Sequence, residues 1–187
     1  MRFHEKPLQL SKRLFVGLIK FILNFHKIKK MAKLKPHVLE FETKLYRPLA
    51  EIFDFFSRAE NLEQVTPDDL EFSILTPTPI AAKAGTLIDY RIKLMGIPFF
   101  WRTLITDWEP PYRFVDQQLE GPYVLWHHEH TFVQRDGYVL MTDRVHYLSP
   151  GWIFEPLIDR LFVRPQLNKV WAFRGKRFEA LFGKQTA

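Results

Sequence analysis

The sequence predicts an α+β protein. One curved antiparallel sheet of about six to seven strands wraps on a long C-terminal helix, with a short helical segment after the first strand. Three observations predict it. Residues 97–148 read as four successive aromatic-rich strands, separated by turn signals at Glu109-Pro110-Pro111, Gly121-Pro122 and Asp136-Gly137. Two earlier segments alternate apolar and polar residues at the period of a strand. After Pro165, apolar residues recur at helical spacing to the end of the chain.

The elements follow in order. Residues 37–46 set Leu39, Phe41, Thr43 and Leu45 against Val38, Glu40, Glu42 and Lys44, a strand with one buried face. Pro48 suits a first helical turn, and Leu49, Ile52, Phe53 and Phe56 give that helix an apolar stripe. Residues 61–69 are polar and contain Pro67, which reads as loop or broken helix; residues 70–75 read as a short strand. In residues 86–94, Ile88, Tyr90, Ile92 and Leu94 share one face and Asp89, Arg91 and Lys93 the other. A turn at Gly96 would pair Ile92 with Trp101, Tyr90 with Thr103 and Ile88 with Ile105. Further strands are expected at 99–108, 112–120, 124–134 and 138–148. Pro156 fits a first helical turn, and Pro165 restarts or kinks the helix. Beyond it, Leu167, Val170, Trp171, Arg174, Phe178, Leu181 and Phe182 form a broad stripe, and Gly183 suits the C-terminal cap. Antiparallel strands joined by short turns make one sheet, and its concave face is where that stripe can be buried.

Composition bounds the function. A chain of 187 residues, 47% hydrophobic, is long enough for one domain with a real core. It has no cysteine, which excludes disulfides, thiolate metal sites and cysteine nucleophiles. The net charge of +6 is unevenly spread: residues 1–36 hold ten Lys or Arg and one acid, a net of +9, leaving −3 on the rest. A mildly acidic domain argues against nucleic acid as a partner. The division is therefore a basic N-terminal extension, 1–36, and a domain, 37–184.

In the extension, Leu14, Leu18, Phe21, Phe25 and Ile28 fall on one helical face among Lys12, Arg13, Lys20, Lys27, Lys29 and Lys30. The apolar run is too short to span a bilayer, and Asn24-Phe25-His26-Lys27 offers no small-residue cleavage site. Three readings stand. Residues 12–30 are a basic amphipathic helix lying on an anionic membrane; or the segment is a loose extension; or translation begins at Met31 and the helix does not exist. The expected location is cytoplasmic, with the membrane reading placing the protein on the inner face of the membrane.

The strand at 124–134 carries Trp126, His128, His130 and Phe132 at every second position. Two imidazoles thus share a face with two large aromatics, the mixture expected of a sheet that lines a cavity. With Asp136-Gly137 as the turn, His130 opposes Asp143, His128 opposes Val145 and Trp126 opposes Tyr147. On the other face Glu129 opposes Arg144, an opposite-charge pair that supports the register, and His127 opposes His146. Arg102 and Arg144 are expected to face solvent.

That register bears on metal binding. His128-x-His130 could supply two ligands, but His146, the only nearby third imidazole, falls on the opposite face, which leaves Asp143 as an alternative third ligand. No metal site and no cofactor are expected; stoichiometric zinc or iron lost on His130→Ala would overturn this. A His130–Asp143 acid/base pair is a second chemical reading, since a carboxylate orients an imidazole and raises its pKa. The plain alternative is a buried polar pair that satisfies itself and fixes strand register.

Several segments resemble the START-like superfamily, also called the helix-grip or SRPBCC fold. They are Ile97-Pro98-Phe99-Phe100-Trp101-Arg102-Thr103, Trp108-Glu109-Pro110-Pro111, Phe114-Val115-Asp116, Gly121-Pro122-Tyr123 and Thr142-Asp143-Arg144-Val145. The superfamily includes plant Bet v 1-type proteins, lipid-transfer START domains, polyketide cyclases and coenzyme Q-binding proteins. The resemblance covers residues 37–183 and is closest to a bacterial ligand-binding SRPBCC subgroup. It implies a deep hydrophobic cavity between sheet and C-terminal helix, and no catalytic motif comes with it. The expected ligand-binding residues are Tyr90, Ile92, Trp101, Thr103, Trp126, His128, His130, Phe132, Asp143 and Trp171, with His130 and Asp143 the catalytic candidates. For the aromatics, the alternative is plain core. Three functions follow: a carrier or sensor for a small hydrophobic ligand (lipid, isoprenoid, quinone or polyketide); a cyclase or dehydratase using His130 and Asp143; or an interaction domain with a vestigial pocket.

Overall fold

The computed structural model describes residues 35–183. The expected helix at residues 12–30, the start at Met31 and residue 184 lie outside the described residues.

Seven strands form one antiparallel sheet: β1 (His37–Leu45), β2 (Ser73–Ile74), β3 (Leu87–Leu94), β4 (Ile97–Glu109), β5 (Arg113–Glu120), β6 (Leu125–Arg135) and β7 (Tyr138–Leu148). Their order across the sheet is β1-β7-β6-β5-β4-β3-β2. Helix α1 (Leu49–Ser57) follows β1, and two 3₁₀ turns, Ala59–Val65 and Asp68–Leu70, occupy the polar stretch expected to be loop or broken helix. Leu70 belongs to the second of these turns, so β2 is shorter than expected. The chain then enters α2 (Glu155–Ile158), a π-helical turn Asp159–Val163, and α3 (Arg164–Phe182). Pro165 thus restarts the helix: it lacks an N–H to donate backwards, and a widened turn directly precedes it. Gly183, at φ 84°, ends α3 where a cap was expected, and its N–H reaches the Glu179 carbonyl at 3.1 Å.

The core fills the concave side of the sheet. At one end α1 and the C-terminal half of α3 close it, with Phe53, Phe132, Phe178 and Phe182 all buried. At the other, Leu167, Val170 and Trp171 of α3 meet Trp101, Trp126, Val145 and Tyr147. Each such side chain, removed from water, contributes about 1.5–3 kcal/mol. The C-terminus of α3 is tied to the end of β1 by the Tyr46 N–H, which donates to the Phe182 carbonyl at 3.2 Å.

The β6–β7 register is the one the Asp136-Gly137 turn predicts: Arg135 opposes Tyr138, His130 opposes Asp143 and Glu129 opposes Arg144. The supporting ion pair is not made. Glu129 instead accepts from Arg113 at 2.6 Å and Arg144 donates to Glu40 at 2.7 Å, each on a neighbouring strand. Arg102, half-exposed like Arg144, pairs with Asp89 at 2.7 Å on the outer face. The β3–β4 register differs by two residues from the expected one: Ile92 opposes Phe99, Tyr90 opposes Trp101 and Ile88 opposes Thr103. The turn is the tight pair Met95-Gly96, with φ of 49° and 80°, both in the left-handed region that a two-residue hairpin of right-twisted strands requires. A shift of two preserves every face.

The stretch from Trp152 to Phe162 has inverted polarity. Glu155 and Asp159 are buried, whereas Trp152, Ile153, Phe154, Leu157, Leu161 and Phe162 are 40–63% exposed. The acids are held from within. Glu155 accepts from His37 Nε2 at 3.0 Å and from the Ser149 N–H at 3.2 Å; Asp159 accepts from the Tyr147 hydroxyl at 2.6 Å and from Arg164 Nε at 3.0 Å.

Candidate functional site

A pocket of about 160 Å³ lies between the concave face of the sheet and α3. Alternation along each strand builds its wall. β3 contributes Ile88, Tyr90 and Ile92, β4 contributes Trp101, Thr103 and Ile105, and α3 covers them with Leu167, Val170, Trp171 and Arg174. Nine of the ten expected ligand-binding residues are brought together here: Tyr90, Ile92, Trp101, Thr103, Trp126, His128, His130, Asp143 and Trp171. Phe132 is not among them. It follows His130 on the same face but at the end that α1 fills, with ring centroids 5.7 Å from Phe53 and 5.3 Å from Phe56; it is core.

The polar part of the wall is a four-membered cluster on three adjacent strands. Asp116 of β5 stands opposite His128 of β6, and His130 stands opposite Asp143 of β7. The hydrogen bonds run diagonally. His130 Nε2 donates to Asp116 Oδ2 at 2.9 Å, and His128 Nε2 donates to Asp143 Oδ1 at 2.9 Å. Direct neighbours also touch: His128 Nδ1 is 3.4 Å from Asp116 Oδ2, and His130 Nδ1 is 2.8 Å from Asp143 Oδ1. The last contact is short but out of line for a hydrogen bond, so His130 Nδ1 is buried without an aligned acceptor. The two imidazoles lie 3.8 Å apart by ring centroid, and Phe114 stacks on His130 at 4.1 Å. Trp171 Nε1 donates to Asp143 Oδ2 at 3.3 Å, and Phe41 stacks on Trp171 at 4.8 Å.

The electrostatics follow from this packing. Burial alone would raise both carboxyl groups, but the two imidazoles outweigh it and hold Asp116 and Asp143 below the ordinary carboxylate range. Burial would lower His130, yet the carboxylates on either side of its ring push it up to about 9. Burial and the charge on His130 lower His128. Without a bound ion the cluster is therefore two carboxylates, one imidazolium and one neutral imidazole that donates from Nε2. Arg174, on α3, faces the same pocket; its Nε donates to the Val65 carbonyl at 3.3 Å and its guanidinium lies 5.0 Å from the Trp171 ring centroid. Burial lowers its pKa while Asp143 and Asp116 oppose this. Two negative and two positive groups thus face one another in an otherwise apolar chamber.

The sequence reading missed two of these residues. Asp116 appeared in it only as part of a motif, because no hairpin turn fixed β5 against β6. Its signal is the alternation Phe114, Asp116, Gln118, which carries it to the pocket face. Arg174 was placed on the buried stripe of the helix without a role. Two further polar groups matter. The Tyr90 hydroxyl hydrogen-bonds Thr103 Oγ1 at 3.0 Å, and Trp101 Nε1 is buried with no protein acceptor.

Comparisons with known proteins place this geometry. No family model matches the chain, and no curated protein matches it. Solved structures do. A START superfamily protein from Mycobacterium smegmatis is similar at a TM-score of 0.59 and 12% identity, over 78% of this chain and 99% of that one. Ginseng major latex-like protein 151 from Panax ginseng is similar at 0.56 and 10% identity, over 80% and 99%. A protein from Chromobacterium violaceum is similar at 0.62 and 10% identity, over 79% and 98%. At such identities the likeness is one of fold. With its seven-stranded antiparallel sheet curved around a long C-terminal helix, this chain has the START-like, or SRPBCC helix-grip, fold.

Proposed function

We propose that this protein binds and carries a small hydrophobic or amphipathic molecule in the pocket between the sheet and α3. The observation that carries the reading is the composition of the pocket wall. Aromatic and aliphatic side chains from β3, β4, β6 and α3 surround a few convergent polar groups, the arrangement that buries an apolar ligand and orients its polar end. Trp101 Nε1, which has no protein acceptor, is a donor for a ligand oxygen. Lipid, isoprenoid, quinone and polyketide all fit this description. A fluorescent apolar probe bound at one site per chain, and displaced by the true ligand, is the expected result; a chain that takes up no apolar probe contradicts the reading.

The ligand is proposed to exchange at an anionic membrane. The exposed apolar residues from Trp152 to Phe162 belong to the helical stretch that continues into the pocket wall at Gln166 and Leu167. A Trp at the edge of such a patch suits the boundary between headgroups and acyl chains. The ten Lys or Arg of residues 1–36 add attraction to anionic lipid. Among the described residues no helix is long and apolar enough to cross a membrane, so the contact proposed is peripheral.

A second reading, a cyclase or dehydratase, is favoured by one observation: the His130–Asp143 contact of 2.8 Å lies on the pocket wall. Between two carboxylates His130 is a proton donor rather than a base. Turnover lost on His130→Ala, with ligand binding unchanged, would support this reading.

A further inference from the structure

We propose that His128, His130 and Asp116 form a site for one divalent first-row transition metal ion on the pocket wall, with Asp143 as the carboxylate that orients both imidazoles. The inference goes beyond the carrier reading and does not depend on it.

The geometry has two layers. In the inner layer, one donor atom from each of Asp116, His128 and His130 lies within 4.8 Å of the others. Asp116 Oδ2 is 2.9 Å from His130 Nε2 and 3.4 Å from His128 Nδ1. An ion bound at ordinary metal–nitrogen and metal–oxygen lengths sets neighbouring donors roughly 2.9–3.4 Å apart. Both carboxylate–imidazole spacings already match an ion, and the two imidazole nitrogens, within 4.8 Å of each other, would close around it. In the outer layer, each imidazole turns its other nitrogen to one carboxylate: His128 Nε2 at 2.9 Å and His130 Nδ1 at 2.8 Å from Asp143 Oδ1. Trp171 Nε1 holds the second oxygen of that carboxylate at 3.3 Å. Histidine ligands characteristically donate their remote N–H to such an outer carboxylate, which selects the tautomer with its lone pair on the metal.

Two further points favour an ion. The contact of His130 Nδ1 with Asp143 is out of line in the present arrangement. That Nδ1 already lies 2.8 Å from Asp143 Oδ1, the position an outer carboxylate takes behind a metal-bound imidazole. Charge also balances, since the ion would lie beside the carboxylates of Asp116 and Asp143, which flank the two imidazoles. Two imidazoles and one carboxylate suit zinc, iron, cobalt or manganese better than magnesium or calcium. All three ligands come from one side of the pocket, so the remaining coordination positions face the apolar chamber, where a ligand oxygen could complete the shell.

The outer face of the sheet supplies an internal control. His127 and His146 are also cross-strand neighbours, with ring centroids 6.1 Å apart, but sit on the opposite face with no carboxylate of this cluster. The experiment is titration of the untagged full chain, stripped with EDTA and freed of it, with Co²⁺ followed by its visible absorption, and with Zn²⁺ followed by calorimetry. No organic ligand is added, so the outcome is separate from that of the carrier reading. One equivalent is expected to bind. Affinity is expected to fall at least tenfold in Asp116→Asn and His130→Ala, and to stay unchanged in His127→Ala and His146→Ala. As a check that needs no variant, Zn²⁺ added to ¹⁵N-labelled native chain should shift the ring nitrogens of His128 and His130 and leave those of His127 and His146 in place. No stoichiometric binding, or binding that moves only the His127 and His146 signals, overturns the proposal.

Discussion

Asp116 and His130 are joined by a 2.9 Å hydrogen bond although neither is the other's register partner. The bond crosses diagonally from β5 to β6, while the bond from His128 to Asp143 crosses diagonally from β6 to β7. Each carboxylate therefore serves the imidazole one pleat away from the one it faces, and each histidine is held by one hydrogen bond through Nε2 while its Nδ1 lies beside the other carboxylate. Diagonal neighbours on one face of a sheet lie about 7–8 Å apart at Cα, within reach of an imidazole and a carboxylate. Charges of opposite sign face one another within the cluster and all but His130 Nδ1 find a partner there, which is how a sheet can place four ionisable groups on an apolar wall.

Removing Asp143 should be costly. Its carboxylate accepts from His128 and Trp171 and lies against His130, and it is 2% exposed. In Asp143→Ala those donors lose their acceptor in a water-poor space. Breaking a buried charge pair from one side costs about 3–5 kcal/mol, and a loss of that size is expected in urea unfolding. Asp116→Asn, with its side chain 17% exposed and a smaller set of partners, should lose less.

Glu155 is expected to behave as a structural acid. It joins His37 at the start of β1 and the Ser149 N–H after β7 to the helical segment. Glu155→Ala should destabilise by about 1–3 kcal/mol, the range for leaving buried donors unpaired. Hydrogen exchange should then show faster opening of residues 152–163 than of β6 and β7; uniform loss of protection across the sheet would mean that Glu155 holds the whole domain instead.

Vesicle binding tests the inverted segment. Ile153, Phe154 and Phe162 are each at least 50% exposed, so changing them to Ser removes little core. The triple variant should sediment less with anionic vesicles than the parent, with its thermal midpoint nearly unchanged. Equal sedimentation of variant and parent would remove this face from the membrane contact. Deletion of residues 1–30 tests the basic extension separately.

Much of the fold can be read from residues. Asp136-Gly137 is a turn signal strong enough to fix β6 against β7, and with it the placing of His128, His130 and Asp143 on one face. The β3–β4 register cannot be read so closely, because Met95 takes a left-handed φ of 49° that its residue type does not announce. The partner of His130 on β5 is hidden for a related reason. Strands β5 and β6 are joined through Gly121-Pro122-Tyr123-Val124, a loop too long to dictate pairing, and β4 is bulged near Thr106 opposite Val115 and Asp116. Alternation puts Phe132 and His130 on one face, but alternation does not say where along that face the pocket ends and α1 begins. Nor does composition reveal the buried Glu155 and Asp159: acids in an apolar helical stretch usually mark the solvent side, and here long-range partners on β1 and β7 draw them in.

Filling the pocket should separate ligand binding from stability. Ile88 lies on the pocket wall and opposes Thr103. Ile88→Phe adds volume there at a cost of about 1–3 kcal/mol. It should weaken binding of an apolar probe at least tenfold while the chain stays folded; unchanged probe binding would place the ligand elsewhere.

The most direct test of the carrier account is native mass spectrometry of the full chain purified from its own source, with solvent extraction of whatever it holds. The account predicts one apolar or amphipathic molecule per chain, released by extraction and missing from Ile88→Phe. A native chain that carries no such molecule, and binds none from a panel of lipids, isoprenoids, quinones and polyketides, would contradict it.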